Sequence, residues 1–90
     1  MKYVLLYETA RDAMPKAQLH FPAHSARLQE FHAKGSLLMV GAFENPLDGA
    51  MGIFTTREAA EEFVKGDPFV VHGVVKSWVL RGWNEIFAGP

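Results

Sequence analysis

Apolar positions along the chain switch between two periods, and each switch marks an element. Tyr3-Val4-Leu5-Leu6-Tyr7 is a short aromatic and aliphatic run closed by the polar stretch Glu8 to Asp12, and it reads as a strand. Ala17, Phe21, His24, Leu28 and Phe31 then recur at spacings of four, three, four and three, which is one face of a 3.6-residue helix. Asp12 is placed to cap that helix, Pro15 falls in its permissive first turn, and Gly35 ends it. Pro22 either kinks the helix or marks where its regular part begins. Leu37 to Phe43 and Ala50 to Thr55 read as two strands of a hairpin, joined by the turn formers Glu44 to Gly49. Thr55-Thr56-Arg57-Glu58 has capping-box spacing, and Ala59, Ala60, Phe63 and Val64 supply the buried side of a second helix stopped by Gly66. Asp67-Pro68 breaks the chain before a short Phe69 to His72 segment and a last strand, Val74 to Leu80. Trp83 to Phe87 is expected to add a short terminal strand or arm.

The order β-α-β-β-α-β predicts an α+β fold, a ferredoxin-like sandwich with two helices on one face of a four-stranded antiparallel sheet. Two helices cover only that face. Yet Tyr3 to Tyr7, Leu37 to Val40, Val74-Val75 and Trp78 to Leu80 are apolar at both parities, as in strands buried on both sides. A homodimer formed through the open sheet face is therefore expected.

Composition narrows the function classes. Ninety residues suffice for one core, and a single domain over residues 1–90 is expected. A net charge of -1, with 21% charged residues and no block of like sign, leaves no electrostatic footprint for nucleic acid or an anionic membrane. The lack of cysteine excludes disulfides, thiolate nucleophiles and Cys-based zinc sites, and suits a reducing compartment. The first apolar run is too short for a signal peptide and no stretch has the length of a membrane span, so a soluble, cytoplasmic protein is expected.

His24 interrupts the apolar stripe, and a titratable ring on such a face must be satisfied by a partner or used in chemistry. The plain alternative is a core histidine whose nitrogens meet a carbonyl or water. His20 and His24 have the i, i+4 spacing of a metal-binding helix, with Asp67 as a third ligand. Pro22 disturbs that geometry and no zincin-type glutamate is present, so neither metal nor cofactor is expected. Ser25 cannot share the direction of His24 on a helix, His32 sits at the helix end, and His72 falls in a loop. Gly41, Gly49 and Gly52 are scattered through the hairpin without the lysine of a phosphate-binding loop. Phe43, Phe54, Phe69 and Trp78 are candidates to frame a pocket for a small planar or apolar ligand, with core packing as the competing reading.

Pro22-Ala23-His24-Ser25-Ala26-Arg27-Leu28, the later Gly35 and Gly41, and Gly66-Asp67-Pro68-Phe69 followed by Gly73-Val74 resemble the YCII-related proteins, from Met1 to about Phe87. The resemblance implies a dimeric α+β barrel and a His/Asp active site, carried here by His24 and Asp67. Members are similar in fold to muconolactone isomerases, and one relative is a dehydrochlorinase of a hydroxylated aromatic. The pair also makes chemical sense on its own. A neutral imidazole is a general base of suitable strength near neutral pH, and a carboxylate on its other nitrogen fixes the tautomer and stabilises the imidazolium. Asp67 has a second candidate role as the cap of the turn after Pro68. The expected function is a cofactor-independent lyase or isomerase acting on a small organic acid or hydroxylated aromatic. The alternative is a non-catalytic small-molecule-binding or dimerisation domain.

Overall fold

The computed structural model describes residues 1–89. Its elements are β1 (Lys2–Thr9), α1 (Met14–Ala33), β2 (Leu37–Ala42), β3 (Ala50–Phe54), α2 (Arg57–Gly66), the four-residue α3 (Pro68–Val71) and β4 (Val75–Trp83). The four strands form one antiparallel sheet in the order β2-β3-β1-β4, with β1 and β3 central. This is the mixed α+β, ferredoxin-like arrangement that the alternation of periods predicts.

The core lies between the helices and one sheet face. Leu5, Leu37 and Phe54 from the strands pack with Phe31 of α1 and Ala60, Phe63 and Val64 of α2. Phe63 meets Phe31 edge-on, with ring centroids 5.2 Å apart, and Phe54 at 5.4 Å. The paired registers place Val4, Leu6, Met51, Ile53, Val79 and Trp83 on the opposite face, because neighbours across a ladder share a side. Several of these stay open: Met51 is 38% exposed, Trp83 46% and Val79 49%.

Three local expectations need correction, and a fourth, at Pro22, is narrowed. Asp12 does not cap α1; its φ is +59°, a turn conformation, and Ala13 occupies the cap position without a side-chain bond. Pro22 neither starts nor ends α1, which runs through it. Pro22 and Gln18, whose carbonyl loses its amide partner, both lie on the exposed side, where water can take that bond. The cap of α2 is Thr56 rather than Thr55, its hydroxyl accepting from the Ala59 N–H at 3.1 Å. Thr55 is instead tied to the sheet edge through its own N–H and the Ser36 carbonyl. Trp83 is the last residue of β4, and the described residues beyond it form no strand. That arm is held at Glu85, which accepts from Lys2 Nζ at 2.8 Å and lies 3.3 Å from the N-terminal amine. The lysine bond, first among several, pulls the Glu85 carboxyl down to about 2.

Candidate functional site

Asp67 is fully buried and belongs to two helices at once, ending α2 and capping α3. Its Oδ1 accepts the Phe69 N–H at 3.1 Å, the capping bond that an Asp before Pro makes. The same oxygen lies 2.6 Å from Nδ1 of His24 on α1, and Oδ2 accepts the Tyr7 hydroxyl of β1 at 2.6 Å. A buried carboxylate is tolerable only when its lone pairs are met, and three donors from three elements meet them here. Asp67 thus caps α3 and contacts His24 with the same oxygen.

Two stacked ring pairs hold α3 against α1. His24 lies flat on Phe69, with centroids 3.8 Å apart and planes 3° apart, and one turn earlier His20 lies on His72 at 3.8 Å and 2°. Desolvation, and then the neighbouring His72, lower the pKa of His20. His20 is therefore paired with His72 across to α3. Farther along α1, Arg27 donates from Nε to the Phe63 carbonyl at 3.1 Å and from Nη2 to the Glu62 carbonyl at 2.7 Å, clamping α1 to the last turn of α2. A Cβ at Gly66 would stand 2.7 Å from that guanidinium, which gives this position a packing reason to be glycine beyond stopping the helix. His32 is also accounted for, its Nδ1 lying 2.8 Å from the Leu37 carbonyl.

With Nδ1 committed to Asp67, His24 Nε2 has no partner among the described residues. Among the described residues no buried side-chain nitrogen or oxygen lacks one, so Nε2 is accessible, and His24 lines an open space. That space is a cavity of about 230 Å³ between α1 and the sheet. Its walls include Leu5, Phe21, Leu28, Phe54 and Phe69, and its floor on β2 and β3 holds Val40 beside the small residues Gly41, Ala42, Ala50 and Gly52. Among the described residues no Lys, Arg, Asp or Glu lines it; His24 and Tyr7 supply its titratable groups. Burial first, and then the charge and hydrogen bond of Asp67, push the Tyr7 phenol far above its ordinary range.

Of the four aromatic candidates, Phe54 and Phe69 line this cavity while Phe43 and Trp78 do not. The cavity spans β1, β3 and β2, and Trp78 pairs with Tyr7 on β4, at the other edge of the sheet. Phe43 comes one residue after Ala42 and so takes the opposite parity. Tyr7 is the member of the site that the sequence reading missed. In a strand that is apolar at both parities a tyrosine looks like packing, and only the fold brings its hydroxyl to a carboxylate sixty positions away.

A four-stranded antiparallel sheet with its helices on one face, and a His-carboxylate pair beside an apolar cavity, define a ferredoxin-like α+β protein. The family model for the YCII-related domain matches residues 1–84, and the chain belongs to this family. It is 32% identical over 98 aligned positions to protein YciI of Escherichia coli O6:H1, covering 97% of this chain and all of that protein. Protein YciI of Shigella flexneri matches to the same extent. Among solved structures, it is similar to the 5-chloro-2-hydroxyhydroquinone dehydrochlorinase TftG from Burkholderia phenoliruptrix AC1100, in complex with 2,5-dihydroxybenzoquinone. That match has a TM-score of 0.77 at 18% identity, over 93% of this chain and 94% of that one. Protein Atu4242 from Agrobacterium tumefaciens matches with a TM-score of 0.54 at 14% identity, over 90% and 89%. Both structural likenesses show the fold. No helix of the described residues is long and apolar enough to cross a membrane.

Proposed function

We propose that this protein is a cofactor-independent lyase or isomerase in which His24 Nε2 is the general base and Asp67 its orienting carboxylate. The observation that carries the reading is the 2.6 Å contact between His24 Nδ1 and Asp67 Oδ1, which leaves Nε2 as the free nitrogen facing the cavity. His24 Nε2 takes a proton from a substrate O–H, or from a C–H beside a carbonyl. Asp67 stabilises the resulting imidazolium, and the released electron pair either expels a leaving group or is reprotonated elsewhere on the substrate.

Of the two substrate classes expected, the cavity supports the hydroxylated aromatic over the small organic acid. A carboxylate would be desolvated without any Lys or Arg on the lining to receive it. A cavity of about 230 Å³ suits one substituted ring, since an apolar cavity of about 150 Å³ already accepts benzene. Phe54, Phe69 and Leu28 offer a planar ligand apolar contact while Nε2 meets one polar substituent. The quinone bound by the structurally similar dehydrochlorinase agrees with this choice.

The assembly belongs to the same proposal. The open sheet face carries Val4, Leu6, Met51, Ile53, Val79 and Trp83 around Arg81, with Lys2 at its end, a largely apolar surface of the kind a second copy covers in a homodimer built sheet to sheet. Sedimentation at micromolar concentration should return about twice the 10.0 kDa chain mass, and a clean monomer would remove the dimer. We place the enzyme in the cytoplasm, where a cysteine-free chain and a diffusible substrate are both at home.

The test of the chemistry is a panel of hydroxylated and halogenated quinols assayed for turnover with the native protein and with His24→Ala. Loss of roughly a hundredfold or more in kcat, with the fold retained, supports the base. Full turnover by His24→Ala would contradict it, and ligand binding without turnover by the native protein would favour a binding module.

A further inference from the structure

The catalytic pair needs only His24 and Asp67, yet a third titratable group is built into it. Tyr7 lies on β1, a central strand whose ladders to β3 and β4 fix its backbone. Its hydroxyl donates to Asp67 Oδ2 at 2.6 Å while Oδ1 serves His24 and the Phe69 N–H. A carboxylate held by one oxygen pivots about its Cβ–Cγ bond. Held at both oxygens by β1, α1 and α3, it has a defined plane.

We propose that Tyr7 is a positioning residue of the active site: by engaging Asp67 Oδ2 it keeps Oδ1 aimed at His24 Nδ1, so the neutral imidazole keeps its proton on Nδ1 and its lone pair on Nε2. This inference rests on the reading of His24 as the base. The tautomer of a histidine is set by the bond its other nitrogen makes, so a carboxylate free to turn away would return part of the population to the Nε2–H form, which is no base toward the cavity. Tyr7 does not compete as a general acid, because its proton is committed to a buried carboxylate and its phenolate would stand beside that charge. The charged and titratable groups around the pair are few. Arg27, from α1, reaches past Gly66 to the α2 carbonyls. His20, one turn before His24, is stacked on His72 at the end of α3. None of these donates to Asp67 Oδ2; Tyr7 does.

The experiment is nitrogen-15 NMR of the imidazoles, at a pH where they are neutral, on native protein and Tyr7→Phe. The native His24 should show one pyrrole-type nitrogen, Nδ1, and one pyridine-type nitrogen, Nε2, with an Nδ1–H proton protected from solvent exchange. In Tyr7→Phe the two nitrogen shifts should move toward each other, and Nδ1–H exchange should accelerate roughly three- to tenfold, the worth of one hydrogen bond of about 1 kcal/mol. Unchanged His24 signals in a folded Tyr7→Phe would overturn the proposal and leave Tyr7 as packing. Should that variant unfold, biosynthetic replacement of the two tyrosines by 3-fluorotyrosine keeps the ring and hydroxyl but makes the hydroxyl a stronger donor. The His24 Nδ1–H resonance must then shift, and an unmoved resonance would overturn the proposal equally. No substrate is needed, so this outcome is read separately from the turnover of His24→Ala.

Discussion

Replacing Asp67 by Asn removes one charge from the best-buried polar position in the protein while nearly preserving its shape. If the amide oxygen takes the place of Oδ1, it still accepts from Phe69 N–H and His24 Nδ1–H, but both bonds lose their charge assistance. The amide nitrogen then faces the Tyr7 hydroxyl, which must turn to accept and loses the acceptor for its own proton. The reverse orientation sets the amide NH₂ against the Phe69 N–H, a donor against a donor. At about 1 kcal/mol for each weakened charge-assisted bond and about 1 kcal/mol for the stranded hydroxyl, the loss is about 3 kcal/mol. No longer burying an ion returns part of that, leaving about 2 kcal/mol net destabilisation. Out of a total of about 5–10 kcal/mol for a domain of this size the variant still folds, with Tm lower by about 10 °C. Thermal and urea unfolding at one fixed chain concentration would measure it, because the proposed dimer would couple stability to concentration. Asp67→Asn matching the native protein within about 0.5 kcal/mol would refute the three-donor carboxylate.

Thr56→Ala should cost about 1 kcal/mol in urea unfolding through loss of the α2 cap, while Thr55→Ala should stay within about 0.5 kcal/mol; the reverse ranking would move the start of the helix. Because burial and Asp67 raise the Tyr7 pKa, the folded protein retains a proton that the unfolded chain releases above about pH 10. The stability this contributes is fully present below that pH and is lost above it, by up to about 1.4 kcal/mol per pH unit. Tyr7→Phe should flatten that alkaline limb in unfolding curves, and identical limbs would contradict the buried phenol.

Much of the fold is legible in the chain because period and punctuation agree. The stripe from Ala17 to Phe31, the turn formers around Asn45-Pro46 and the stop at Gly66 each point to the element observed. The errors fall where a neighbour outside the window decides. Thr55 and Thr56 are equally good caps in isolation, and the sheet-edge bond of Thr55 to Ser36 passes the role to Thr56. A proline in a helix looks disruptive until the fold turns it to water, as with Pro22. In the candidate site, His24 and Asp67 stand out because an imidazole breaks an apolar face and Asp-Pro marks a turn. Their meeting is a tertiary fact, and Tyr7 and the small-residue floor of the cavity carry no local signal at all. Phe43 and Trp78 show the limit of composition: an aromatic residue suits a pocket wall, but parity and strand order decide which wall it joins.

In the function proposed, His24 Nε2 addresses a ring-shaped ligand in the cavity between α1 and the sheet. A crystal structure of the protein soaked with 2,5-dihydroxybenzoquinone tests it most directly. The ring should lie among Phe54, Phe69 and Leu28, with one of its oxygens within about 3 Å of His24 Nε2 and the Asp67–Tyr7 contact intact. A ligand bound elsewhere, or one in the cavity with its oxygens turned away from His24, would contradict it.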